Sequence, residues 1–161
     1  MTTHAPWRAF FAVAALAGAA FVTYADTAAA KTPGKTYCYN KVCHRVKTLD
    51  EMEKLVGHEE VLVSSYYDDC KVDKFNPCTR LSSGEEHRPD LPDNAASPVY
   101  PNGTILLLEK NGTKLLVRVN NSGPYRKGRM LDVSRAAAEE LGFKKKGVAK
   151  IKVTVISGPI R

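Results

Sequence analysis

Four cysteines, Cys38, Cys43, Cys70 and Cys78, are the residues whose chemistry is plainest in this 161-residue chain. Thiols at such spacing either oxidise in pairs or bind a metal. A zinc site would have to recruit His44 beside them, and no C-x-x-C pair is present to seed one. Oxidation leaves three connectivities. In Tyr37-Cys38-Tyr39-Asn40-Lys41-Val42-Cys43, a two-residue turn at Asn40-Lys41 sets Cys38 opposite Cys43, within the reach of a disulfide. Cys70 and Cys78 would then close the loop that carries Asp68, Asp69, Asp73 and Pro77. Neither a metal nor another cofactor is expected.

The N-terminus supports the oxidising address. Arg8 precedes a nearly unbroken apolar run from Ala9 to Val22, and Ala28-Ala29-Ala30 follows. Basic start, apolar stretch and A-x-A site make residues 1–30 a secretory signal cut after Ala30. The run falls short of the roughly 20 apolar residues of a membrane span; an uncleaved anchor is the alternative. No cysteine follows the cut, so a lipid anchor is not expected, and the protein should be periplasmic or secreted. The net charge is +7, with Lys144-Lys145-Lys146, Lys150 and Lys152 its densest cluster. Such a run is usually a solvated face, although it would attract anionic wall polymer or a membrane surface. The exported address argues against nucleic acid.

Trp7 and three of the five phenylalanines leave with the signal, so the core must be built from Val, Leu, Ile and Tyr. That favours strands. Residues 31–57 read as the cysteine hairpin and a short helix at 49–56, opened by the capping box Thr48-x-x-Glu51 and stopped at Gly57. His58 to Tyr67 reads as a strand, and residues 68–103 as one long Pro-rich loop. Thr104–Glu109 and Thr113–Asn120, joined at Asn111-Gly112, form a hairpin. Arg129–Val133 is extended, Ser134 caps a helix 135–141, and Ala149, Ile151, Val153 and Val155 alternate with polar residues as a last strand. Residues 58–157 are thus expected to form a β-rich domain with short helices, as in a small barrel.

One stretch is specific. Val117-Arg118-Val119-Asn120-Asn121-Ser122-Gly123-Pro124-Tyr125, then Gly128 through Glu139, then Gly147-Val148-Ala149-Lys150-Ile151 resemble the rare lipoprotein A family, whose pattern runs roughly VRVNDRGPF, GRIIDLSRAAAEALG and GVARVxLxVL. Upstream, Ser65-Tyr66-Tyr67 is similar to its A-S-W/F-Y, Ser83-Gly84-Glu85 to its N-G-E and Pro101-Asn102-Gly103-Thr104 to its P-x-G-T. The resemblance covers about residues 60–156 and implies a mainly β fold, a six-stranded double-psi β-barrel, here with short helices and the disulfide-tied N-terminal hairpin. It also implies an action on peptidoglycan glycan strands, with periplasmic division or growth proteins as further partners of what should be a monomer.

Active family members are lytic transglycosylases, cleaving after N-acetylmuramic acid without water. One carboxylic acid protonates the leaving oxygen and then, as carboxylate, assists attack by the sugar's own C6 hydroxyl. The resemblance assigns that role to the Asp of N-D-R-G-P, with a His in A-A-H nearby. This chain has Asn121 and Ser97 there. Neither side chain exchanges a proton near neutral pH, so the expectation is glycan binding with a degenerate catalytic pair. Glu85, which matches the family glutamate, and Asp93 are the substitute carboxylates of an enzyme reading. Tyr66, Asn120, Tyr125 and Asp132 are the expected glycan-binding residues, with Asp132 otherwise tying the barrel beside a helix start.

Overall fold

The computed structural model describes residues 31–160 except 75 and 77–79. Strands β1 (Thr36–Tyr39) and β2 (Val42–Arg45) form a two-stranded hairpin. Asn40 and Lys41 both take positive φ, 48° and 63°, the turn whose twist matches paired strands. The register sets Cys38 on Cys43 at a Cα separation of 4.0 Å, and the disulfide is formed. Cys70 is also disulfide-bonded; its expected partner Cys78 lies outside the described residues.

Helix α1 (Leu49–Lys54) begins at the expected capping box: the Thr48 hydroxyl accepts from Glu51 N–H, and the Glu51 carboxylate accepts from Thr48 N–H. It buries Met52 completely against the barrel.

Six strands then close into a ring: β3 (Glu59–Tyr67), β4 (Asn94–Ala96), β5 (Ile105–Lys110), β6 (Thr113–Asn121), β7 (Leu131–Ser134) and β8 (Val148–Ser157). Around the barrel the order is β3-β7-β4-β6-β5-β8. The β3–β7 and β4–β6 pairs are parallel and the rest antiparallel. Alternation sends Leu106 and Leu108, Val117 and Val119, Leu131 and Val133, and Ile151, Val153 and Val155 inward. Phe143 joins them, fully buried, so the core is not confined to Val, Leu, Ile and Tyr. Helix α2 (Arg135–Glu140) follows β7 directly, capped by the Ser134 hydroxyl accepting from Ala137 N–H. A single 3-10 turn spans Lys144–Lys146. Among the described residues no helix is long and apolar enough to cross a membrane.

The long Pro-rich segment departs from the loop reading at one point. Residues Asn94–Ala96 form β4, an interior strand flanked by β6 and β7. All three residues are buried, and Ala95 and Ala96 leave room for the larger side chains opposite.

Candidate functional site

The β4–β6 register shifts between Ala95 and Ala96: Ala95 faces Val119 and Ala96 faces Asn121. Asn120 is therefore the extra residue of a bulge, which re-aims a side chain that strict alternation would send elsewhere. It lies 1% exposed. Its Nδ2 donates to Asn94 Oδ1 at 2.7 Å and to Glu85 Oε2 at 3.0 Å. Two acceptors on that side fix the amide's orientation. Its Oδ1 is buried with no hydrogen-bond partner among the described residues.

Glu85 lies in the loop before β4 and meets Arg118 of β6 in a two-pronged contact, Nη1 to Oε1 at 2.8 Å and Nη2 to Oε2 at 2.9 Å. Arg118, helped by the Asn120 amide, holds the Glu85 carboxyl below its ordinary range. An ionised carboxylate accepts hydrogen bonds and has no proton to give. Asp93 is exposed, and its carbonyl accepts from Arg118 N–H at 2.7 Å.

Residues 97 and 121 are brought together. Ser97 N–H donates to the Asn121 carbonyl at 3.2 Å. The Asn121 Oδ1 accepts from Ser82 N–H at 3.1 Å. Ser97 is fully buried, its hydroxyl donating to the Met130 carbonyl and accepting from Val99 and Tyr100 N–H. A third group completes the seat, and nothing in the motifs announced it. Lys31, 4% exposed, donates from Nζ to the Ser97 carbonyl at 2.6 Å and to the Asn121 carbonyl at 3.1 Å. Burial pushes its ammonium from 10.5 down to about 7.

Tyr125 follows a cis Gly123–Pro124 bond and sits under the hairpin. Its ring centroid is 6.0 Å from Tyr39 and 6.4 Å from His44. Tyr66 lies elsewhere. It lines an open hollow with Glu139, Gly142, Lys144 and Lys145, whose walls include none of Asn120, Asn121 and Tyr125. Asp132 pairs in register with Ser65 and accepts from its hydroxyl; Arg129 Nη1 donates to the same Ser65 oxygen at 3.2 Å. Burial raises the Asp132 carboxyl from 3.8 to about 6. The neighbouring Tyr67 hydroxyl is buried without a hydrogen-bond partner among the described residues, and burial with the charges of Asp132, Asp93 and Glu85 raises its pKa. Among the described residues no cluster of His, Cys, Asp and Glu has the arrangement of a metal site.

Comparison with known proteins agrees with this architecture. A family model described as lytic transglycolase, of the double-psi β-barrel type, matches residues 59–153. The endolytic peptidoglycan transglycosylase RlpA of Pasteurella multocida is 32% identical over 126 residues, covering 78% of this chain and 40% of that protein. The probable endolytic peptidoglycan transglycosylase RlpA of Treponema pallidum is 35% identical over 104 residues, 63% of this chain and 32% of the relative. The chain thus spans well under half the length of these relatives. The Streptomyces papain inhibitor superposes with a TM-score of 0.50 at 20% identity, over 62% of this chain and 94% of that one, a likeness of fold. With a match across most of the barrel, the chain belongs to the RlpA-like lytic transglycolase family of double-psi β-barrels.

Proposed function

We propose that this protein is an exported cell-wall protein that binds the glycan strands of peptidoglycan through a groove whose catalytic pair has been replaced. The observation that carries this reading is the state of the seat at residues 97 and 121. The Ser97 hydroxyl is spent on three backbone partners, and an amide occupied by Ser82 N–H stands at the acid's position. Glu85 is ion-paired and ionised. None of Ser97, Asn121 and the ionised Glu85 has a carboxylic proton to give to a leaving oxygen. The Oδ1 of Asn120, buried with no hydrogen-bond partner among the described residues, would accept from a sugar hydroxyl or an acetamido N–H on an opening of the structure around it, and Tyr125 offers an aromatic face.

The relatives' printed activity, endolytic peptidoglycan transglycosylase, supports the same polymer as target. On this reading residues 1–30 are a signal, the mature protein is periplasmic or secreted without a lipid anchor, and residues 58–157 are the glycan-directed domain. The experiment incubates the purified protein with sacculi and with glycan freed of stem peptides. Pelleting without anhydro-muramyl products by mass spectrometry is the expected result. Products that vanish in Glu85→Gln or an Asp93→Asn variant would establish an active enzyme with a substitute carboxylate instead. Neither pelleting nor products, with a division or growth protein recovered, would make it an interaction module.

A further inference from the structure

The N-terminal segment is fastened to the barrel at residues 97 and 121 of the candidate site. Facing residues of an antiparallel pair point to one side, so the register puts Tyr37, Tyr39, Val42 and His44 on one face of the hairpin and the disulfide on the other. The Tyr39 and His44 rings lie over Tyr125. Lys47 N–H donates to the Val99 carbonyl at 2.8 Å, two residues from Ser97. Val46 between them is fully buried. Lys31 makes the third attachment, and it lands on the two positions where relatives carry their chemistry.

A lysine is almost never buried unless paired, and a buried ammonium is costly without partners. No carboxylate among the described residues is ion-paired with Lys31. Two convergent backbone carbonyls hold it instead, and they would hold any primary ammonium of the same reach. We infer that the Ser97 and Asn121 carbonyls form a primary-ammonium site, filled by the chain's own Lys31, which latches residues 31–47 over the groove and governs glycan access. The latch stands on this geometry; the ligand it excludes rests on the glycan reading above. A sugar ring occupying the seat must displace the segment, and the lowered affinity of Lys31 for its proton eases that release.

The test uses the full mature protein and Lys31→Met, which keeps the aliphatic stem and removes the ammonium. At pH 5, where the amine is protonated, the Lys31 Nζ protons read by nitrogen-15 NMR should exchange with water on the order of tenfold more slowly than those of Lys144, Lys145 and Lys146, as expected of a protected group. In Lys31→Met, hydrogen exchange over residues 31–47 and 121–125 should quicken by about tenfold, and sacculi should be pelleted at lower protein concentration. In Lys31→Ala, propylammonium should restore slow exchange where propanol does not. Rapid exchange of the Lys31 Nζ protons, or unchanged backbone exchange in Lys31→Met, would overturn the latch. Equal pelleting by wild type and a variant with freed hairpin would overturn its control of access while the glycan reading stands. If neither pellets, the glycan reading fails, and the two exchange measurements decide the latch by themselves.

Discussion

Arg118 grips Glu85 with both guanidinium nitrogens, at 2.8 and 2.9 Å, and the same carboxylate receives the Asn120 amide at 3.0 Å. This trio orients the one buried side-chain amide whose carbonyl oxygen has no hydrogen-bond partner among the described residues. Arg118→Gln should leave the thermal melt nearly unchanged, because half-exposed ion pairs contribute under about 1 kcal/mol. Sacculus affinity should fall by roughly tenfold, the scale of one lost hydrogen bond to a charged group. A large drop in stability with unchanged pelleting would make the trio structural.

Asn121→Asp alone should not yield a working transglycosylase. The restored carboxylate would still accept from Ser82 N–H and would lie beside the Lys31 ammonium, both of which favour its ionised form. Ser97 supplies no imidazole. Each missing acid–base group typically costs ~10²–10⁴-fold. Anhydro-muramyl products should stay at background by mass spectrometry, and vigorous turnover would refute this account of the seat.

Ser97 holds the fold at its own position. Ser97→Ala deprives Val99 and Tyr100 N–H of their acceptor in a turn where Ser97 and Tyr100 are fully buried. The expected cost is about 2–3 kcal/mol, measured by urea unfolding with an unchanged slope. Ser97→His should be worse, since an imidazole has no space at a fully buried site. A neutral effect of either change would mean that the turn relaxes freely.

Asp132 gives the pH dependence a definite sign. Its carboxyl titrates near 6 in the folded protein against 3.8 as the ordinary value, so between these values the folded state binds the extra proton. The stabilisation is complete below the lower value and is lost as pH rises through the upper one. Asp132→Asn, which keeps an acceptor for Ser65, removes that loss. Relative to the variant, wild type should lose on the order of 2 kcal/mol from pH 4 to pH 7, read by denaturant melts across that range. A difference independent of pH would show that the carboxyl is not perturbed.

Much of the scaffold was legible because its signals are local. Thr48-x-x-Glu51, Asn111-Gly112 and the alternation of Val117 and Val119 or Ile151, Val153 and Val155 each name their own geometry, and each stands where expected. Strand β4 was not legible: three residues carry no period, and the prolines around it read as loop. The site was legible only as a set of positions. The motif order brought Ser97 and Asn121 together, but the Asn120–Glu85 contact depends on a bulge and the Asp132–Ser65 pair on a parallel register, neither of which a single sequence states. Lys31 gave no signal at all, being a lone lysine 66 residues from Ser97. Tyr66, grouped with the groove by its motif, faces another hollow because one step along a strand changes the side.

The ring is sealed by β8, which bonds to β3 on one flank and β5 on the other. Neither seam can form while Val148–Ser157 is still missing, so a nascent chain lacking those ten residues is an open sheet with two raw edges. Non-local pairing of this sort is slow to nucleate. Closure of the barrel therefore waits on the making of β8.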